Sequence, residues 1–198
     1  MDLNRFCANS IDPRAYLSTP FRDGDNVIAT NGHIMVVVPG MAGDFPVAAS
    51  NMAGMPARFN AATRSGVLTP LSSITLPDRV PCPVCGGKGH GHEVRCDECD
   101  GEGEFKHGSH WYECKECGGD CTKPCHESTP GAVKHACYRC NGFGEAFGRV
   151  PVAGALFQRC YMALLATLPD CHIETAGPEG TAKFTFDGGY GFLMPCRP

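Results

Sequence analysis

The chain has 198 residues, of which 42% are hydrophobic and 19% charged, so it is long enough for one or two domains with an apolar core. Its net charge of -4 excludes the overall positive field that is typical of proteins that bind nucleic acids electrostatically. The first residues lack the pattern of a secretory signal peptide, and no apolar run reaches the length of a membrane span. We therefore expect a cytoplasmic protein, in which thiols stay reduced.

The N-terminal part of the chain contains one clear β-hairpin. Residues 27–30 and 33–38 have high β propensity and flank Asn31-Gly32, a dipeptide favoured in two-residue hairpin turns because both turn positions require positive φ. The other segments before the cysteine-rich region have weaker patterns. We predict a short helix at 3–9, a strand at 14–18, a long loop at 39–65 and a short strand at 72–77.

Residues 82–147 differ in composition from the rest of the chain. They contain ten of the fourteen cysteines, many glycines and few aliphatic residues. Such a segment cannot form a hydrophobic core of its own, whereas the residues on both sides can. The pattern predicts one domain formed by residues 1–80 and 149–198, interrupted by an inserted domain at 81–148.

The C-terminal part opens with an apolar period that is typical of an amphipathic helix at 153–168. The side chains that form the apolar stripe are Leu156, Cys160, Leu164 and Leu168. A strand at 171–175 and a second hairpin at 183–195 follow. Each flank of the insert then has a helix followed by strands that end in a hairpin. We therefore predict an α+β domain built from two similar halves.

Four Cys-x-x-Cys pairs lie in the insert, and their spacing is typical of zinc ligands. The pairs are Cys82 and Cys85, Cys96 and Cys99, Cys114 and Cys117, and Cys137 and Cys140. Because zinc takes four ligands in a tetrahedron, eight thiolates complete two sites without remainder. Redox-active thiols are a weaker interpretation, since such a pair normally has few other cysteines nearby, and disulfides are rare in a reducing compartment. The sequence predicts two structural Zn2+ ions.

Other possible ligands lie in the same segment. Cys121, Cys125 and His126 follow the third pair and could replace a ligand or contribute to a third site. Surplus cysteines in a flexible loop are more often bystanders than ligands. The histidines at positions 90, 92, 107, 110 and 135 lack a paired spacing, and we expect them to be exposed polar residues.

The glycines after the cysteine pairs carry a more specific resemblance. The repeated Cys-x-x-Cys-x-Gly-x-Gly pattern resembles the cysteine-rich domain of DnaJ-type co-chaperones; three pairs match it fully, and the third has Cys121 in place of the last glycine. In that family the first pair joins the fourth and the second joins the third, in an elongated, hairpin-like module. The resemblance implies one zinc site formed by Cys82, Cys85, Cys137 and Cys140 and another formed by Cys96, Cys99, Cys114 and Cys117.

The flanks of the insert resemble one domain of the bacterial DNA polymerase sliding clamp. The stretch VIATNGHIMVVV at 27–38 is similar to the clamp's ATDGHRL hairpin, and GFLMPCR at 191–197 is similar to its terminal MPMR strand. This resemblance implies a single clamp-like α+β domain that carries the inserted double zinc finger. A clamp ring needs six such domains, and this chain has material for one.

The DnaJ resemblance implies a non-catalytic interaction module whose zinc finger contacts a polypeptide partner, which could be unfolded. In the stretch EFKHGSHWYE, the aromatic residues Phe105, Trp111 and Tyr112 could form the contact surface. Alternatively, these residues pack the spine of a finger that has little else to pack. The sequence leaves both interpretations open.

The alternative function is a nucleic-acid-associated accessory factor of replication or recombination that uses the clamp-like domain. Residues 82–147 contain seven Lys and Arg against eleven Asp and Glu. Each zinc site with four ionised thiolates adds about -2. Since phosphate binding depends on cationic side chains, the charge of this segment disfavours nucleic acid as its ligand.

The sequence contains no recognisable catalytic motif. His33, Asp170, His172 and Asp187 are isolated candidates that form no familiar constellation. A zinc ion held by four thiolates has no open coordination position for chemistry. We therefore expect a binding protein rather than an enzyme.

Overall fold

The computed structural model describes residues 1–9 and 11–197. The chain divides into two compact units. The first, which we call the base, is formed by Met1–Val80 together with Glu145–Pro198, and the second, the finger, by Pro81–Gly144. The base is therefore discontinuous in sequence, whereas the finger is one continuous segment.

The described residues form fourteen short strands, two α-helices and three 3-10 turns. The strands are β1 (Phe21–Asp23), β2 (Asn26–Thr30), β3 (Ile34–Pro39), β4 (Val67–Pro70), β5 (His90–Arg95), β6 (Glu104–His107), β7 (His110–Glu113), β8 (Thr122–Pro124), β9 (Val133–Ala136), β10 (Arg149–Val152), β11 (Ala155–Gln158), β12 (His172–Thr175), β13 (Ala182–Phe186) and β14 (Gly189–Leu193). The helices are α1 (Met55–Ala62) and α2 (Arg159–Leu165), and the 3-10 turns lie at Leu3–Phe6, Ala15–Leu17 and Leu71–Ser73.

Seven strands of the base form one antiparallel sheet in the order β1-β2-β3-β14-β13-β12-β4. The central neighbours β3 and β14 come from opposite sides of the finger in sequence, and Met35 pairs with Phe192 between them. β10 and β11 form a separate hairpin. The sheet thus joins the two sequence segments of the base.

The predicted hairpin in the N-terminal part is confirmed, but its turn lies one residue later than expected. Asn31 pairs with Ile34 through a backbone hydrogen bond of 3.3 Å. The two turn residues are therefore Gly32 and His33, of which Gly32 has a φ of 88°. The side-chain oxygen of Asn31 accepts hydrogen bonds from the two amides after Gly32, at 3.0 and 3.2 Å. Asn31 stabilises the turn through its side chain rather than through a positive φ.

Both faces of the central strands are buried. On one face a cluster of apolar side chains packs with α1, where the ring centroids of Phe59 and Phe192 lie 5.5 Å apart. The buried members of this cluster are Leu17, Phe21, Ile28, Met35, Val37, Met52 and Phe192. The alternate residues of β2 and β3 point to the opposite face and are also buried; they are Val27, Ala29, Ile34 and Val36. Burial on both sides accounts for the continuous apolar runs in these strands.

The regular secondary structure of the described residues is mostly β, so the predicted α+β fold of two similar helix-plus-strands halves is wrong. The halves do not form separate repeats, because β4 from the first pairs with β12 from the second at one edge of the sheet. The helix predicted at 3–9 is only a 3-10 turn at Leu3–Phe6. The clamp-like architecture inferred from the flanks required these two halves, so it is wrong as well.

The helix predicted at 153–168 is also wrong over its first part. Ala155–Gln158 forms β11, which pairs with β10 across a tight turn in which Ala153 and Gly154 have φ values of 43° and 87°. The helix α2 then covers only Arg159–Leu165. Alternating burial in β11 followed by apolar residues in α2 imitates one long helical period.

The remaining predicted elements have mixed outcomes. The strand at 171–175 and the hairpin at 183–195 are confirmed as β12 and as the β13–β14 pair. The segment 14–18 contains a 3-10 turn instead of a strand, the loop predicted at 39–65 contains α1, and a 3-10 turn preceded by β4 replaces the strand predicted at 72–77. Among the described residues, no helix has the length and apolar character needed to cross a bilayer.

Candidate metal centres

The finger consists of short antiparallel strands between the four cysteine pairs. β5 pairs with both β8 and β9, and β6 and β7 form a separate hairpin. Because β5 pairs with β9, the first cysteine pair, before β5, meets the fourth pair, after β9. The β6–β7 hairpin brings the second pair next to the third in the same way.

This strand pairing collects the eight predicted ligands into two groups of four. Centre 1 contains Cys82, Cys85, Cys137 and Cys140, and centre 2 contains Cys96, Cys99, Cys114 and Cys117. Within each centre all four Sγ atoms lie within 4.8 Å of one another. Sulfurs of opposite pairs approach to 4.0 and 3.8 Å in centre 1 and to 3.9 and 3.8 Å in centre 2.

These sulfur–sulfur distances fit a tetrahedral zinc ion. A zinc–sulfur bond of about 2.3 Å in a regular tetrahedron places neighbouring sulfurs about 3.8 Å apart. A disulfide would instead require about 2.0 Å between the sulfurs, and all the cysteines of both centres are free. Each centre can therefore hold one zinc ion, with four thiolate ligands and no open position.

Backbone amides stabilise the ionised form of several ligands. The Gly89 amide donates to Cys85 Sγ at 3.2 Å, and the Gly103 amide donates to Cys99 Sγ at 3.3 Å. Burial raises the pKa of the Cys85 thiol, but this amide and the neighbouring thiols outweigh burial and bring the pKa to about 7. For Cys140 burial dominates and raises the pKa to about 12. Zinc must therefore displace protons when it binds at neutral pH.

The last glycine of the repeated pattern allows the cysteine turns to approach each other closely. Gly89 has a φ of 78°, and a Cβ atom there would lie 2.4 Å from the carbonyl oxygen of Gly142 in the fourth pair's turn. At Gly103 a Cβ atom would lie 2.6 Å from the carbonyl oxygen of Gly119, in the third pair's turn. Only glycine satisfies both the backbone conformation and the close approach. These contacts join the same pairs as the two metal centres.

The two centres occupy the position of a hydrophobic core. Within the finger, every buried apolar side chain belongs to one of the eight cysteines, and the other buried residues are glycines. The sulfurs of each centre form a separate buried cluster. We therefore expect metal binding to be the main source of stability for this unit.

The surplus ligands do not form a third centre. Among the described residues, no further group of three potential ligands is close enough to hold an ion. Cys121 has a φ of 66° at the position where the other pairs have glycine, and its Sγ atom lies 3.6 Å from the carbonyl oxygen of Gly119. His126 Nδ1 lies 2.8 Å from the hydroxyl of Ser128.

Of the isolated residues considered for catalysis, three lie in turns of the base, namely His33, Asp170 and Asp187, and His172 begins β12. The rings of His33 and Tyr161 stack with centroids 6.0 Å apart, and burial together with the charge of Arg14 lowers the pKa of His33. His172 Nδ1 lies 3.0 Å from the carbonyl oxygen of Asp170. The stack joins the β2–β3 turn to α2, whereas the His172 contact is local. The absence of enzymatic activity stays a prediction.

Sequence reasoning missed a buried ion pair in the base. Glu145 follows the last glycine of the fourth cysteine pair, and its carboxylate accepts a hydrogen bond of 2.7 Å from the Arg159 guanidinium. Arg159 also donates to the carbonyl oxygen of Pro77 at 2.7 Å. Next to these residues, the amide of Ala146 donates to the carbonyl of Val80 at 2.8 Å. These bonds hold together the two base segments between which the finger is inserted. No sequence motif predicts them.

Comparisons with known proteins give no relative from which a function could be transferred. No protein-family model matches the chain, and no curated protein or solved structure matches it either.

Proposed function

We propose that the protein is a non-catalytic, zinc-stabilised interaction module that contacts a polypeptide partner through its finger. The observation that carries the proposal is the exposure of three large aromatic side chains on the β6–β7 hairpin. Phe105, Trp111 and Tyr112 are 40%, 60% and 54% exposed. They do not pack the spine of the finger, and concentrated exposed aromatic residues are typical of protein-binding surfaces.

The arrangement of the metal centres supports the same proposal. Joining the first cysteine pair to the fourth and the second to the third is the arrangement implied by the resemblance to DnaJ-type co-chaperones, whose cysteine-rich region handles non-native polypeptides. Zinc ions with four thiolate ligands have no open position, which favours a structural role over catalysis. A reducing compartment such as the cytoplasm suits these thiolates.

The experiment uses a permanently unfolded polypeptide as the probe. Reduced, carboxamidomethylated lysozyme, a basic protein whose alkylated cysteines carry no charge, is titrated with the zinc-loaded protein and with a Phe105→Ser/Trp111→Ser/Tyr112→Ser variant. We expect the variant to lose at least tenfold in affinity, because exposed aromatic anchors dominate such contacts. Both proteins should contain two equivalents of zinc.

A matched control removes three exposed apolar side chains of the base. The substitutions are Val47→Ser, Val67→Thr and Leu68→Thr, at positions that are 85%, 59% and 60% exposed. This control should bind the probe like the wild type. Equal binding by the aromatic variant and the wild type, with zinc content intact, would contradict the proposal.

A further inference from the structure

The β6–β7 hairpin lies in a strongly acidic part of the finger. Residues 96–121 contain eight Asp and Glu and only two Lys, with no Arg, which gives a formal charge of -6. A zinc ion bound by four thiolates at centre 2 adds about -2. The exposed aromatic side chains are thus surrounded by negative charge.

Two of the carboxylates face each other on the hairpin itself. The strand register places Glu104 directly opposite Glu113, and both residues are exposed. Like charges at opposite cross-strand positions repel and destabilise a hairpin. In the part of the chain that the structure describes, neither carboxylate forms an ion pair. Lys106, on the same face, has its Nζ atom 5.5 Å from the ring centroid of Trp111.

The hairpin also offers two faces and two open edges. Side chains alternate between the faces, so one face carries Glu104, Lys106, Trp111 and Glu113 and the other carries Phe105, His107, His110 and Tyr112. No third strand joins β6 and β7 among the described residues. Alternate backbone N–H and C=O groups along both outer edges can therefore pair with an added strand.

We propose that this hairpin selects cationic, extended polypeptide segments in which Lys or Arg alternate with apolar residues. An added strand presents alternate side chains to the two faces. Its cations would neutralise Glu104 and Glu113 on one face, while its apolar side chains would lie against Phe105 and Tyr112 on the other. This inference rests on the proposed function and names the chemical class of the partner.

The test uses three fluorescein-labelled peptides of about nine residues and the full-length, zinc-loaded protein. The peptides alternate Val with Lys, with Ser or with Glu, and fluorescence anisotropy reports their binding. We expect the Lys peptide to bind about tenfold more tightly than the Ser peptide at low salt, and the difference to shrink in about 0.5 M salt. The Glu104→Gln/Glu113→Gln variant should lose about threefold to tenfold in affinity for the Lys peptide alone.

The control variant Glu127→Gln/Asp187→Asn removes the same formal charge at exposed positions outside the hairpin, and it should bind the Lys peptide like the wild type. Equal binding of the Lys and Ser peptides, or an equal loss in the control variant, would overturn the charge selection and leave the proposed function standing. Failure of all three peptides would overturn both proposals. Preference for the Glu peptide, or tighter binding of a fluorescein-labelled oligothymidylate in the same anisotropy assay, would show that the partner is not cationic.

Discussion

Zinc removal tests whether the two metal centres replace a hydrophobic core in the finger. Every buried apolar side chain of this unit belongs to one of the metal-binding cysteines, so little other burial remains once the ions leave. Structural zinc contributes about 10–16 kcal/mol per site at neutral pH. A folded domain has a net stability of about 5–15 kcal/mol. The loss of both ions therefore exceeds the net stability of such a unit, and we expect the finger to unfold completely.

The base should stay folded in the same experiment, because its sheet is buried on both faces by apolar side chains. The protein is treated with excess chelator under reducing conditions, and amide hydrogen exchange is followed by mass spectrometry. Amides of residues 81–144 should exchange at the rate of an unfolded chain, while those of β2, β3, β13 and β14 should keep their protection. Slow exchange in the metal-free finger, or simultaneous opening of the base, would refute this reasoning.

Three further predictions concern single contacts. Gly89→Ala places a Cβ atom 2.4 Å from a backbone oxygen, so it should release zinc from centre 1 in a chelator competition assay, whereas Gly86→Ala, at a similar φ but with open space, should retain it. Arg159→Ala removes the 2.7 Å partner of the buried Glu145 carboxylate and leaves Arg79, whose Nε atom lies 3.7 Å from the same oxygen. This variant should therefore lower the free energy of unfolding of the base by about 1–3 kcal/mol in urea, less than the loss of a completely unpaired buried charge, and Glu145→Gln/Arg159→Met should recover at least half of that loss. A hydrogen bond from the Arg14 guanidinium lowers the pKa of Asp12 to about 2. Asp12→Asn should therefore cost less than about 1 kcal/mol at pH 7, and this cost should shrink below about pH 4 and vanish only below about pH 2, in denaturation measured at each pH; a cost independent of pH would contradict the assignment.

The metal centres are the feature that the sequence predicts best, because zinc ligation imposes strict local rules. The two-residue spacing and the number of sulfurs follow directly from tetrahedral coordination. Spacing alone does not determine which two cysteine pairs share a zinc ion, because it permits other combinations. The resemblance to the DnaJ-type cysteine-rich domain is what implies the pairing of the first with the fourth and of the second with the third. Only the structure shows why the last glycine is needed: a side chain at Gly89 or Gly103 would clash with the turn of the pair that completes the centre.

The fold of the base was less predictable because its pairing is non-local. The β2–β3 and β13–β14 hairpins follow from turn residues and alternating side chains, which are local signals. The neighbours β3 and β14, by contrast, are separated by the whole finger in sequence, and no local pattern specifies their contact. The predicted helix at 153–168 failed for a related reason, since apolar spacing cannot tell one long helix from a strand followed by a short helix.

The zinc ligands and the exposed aromatic surface are linked by continuous hydrogen bonding. The Cys114 amide donates to the carbonyl of Gly103 at 2.9 Å, directly next to the ends of β6 and β7. This bond continues the hydrogen bonds of the hairpin as far as Cys114, a ligand of centre 2. We therefore expect the position of the aromatic side chains to depend on the metal in this centre. Loss of zinc from centre 2 through Cys96→Ser/Cys114→Ser should abolish binding of an unfolded probe, whereas Cys82→Ser/Cys137→Ser should weaken it less. An equal loss of binding in both variants would show instead that the finger folds as one cooperative unit in which neither centre controls the hairpin alone.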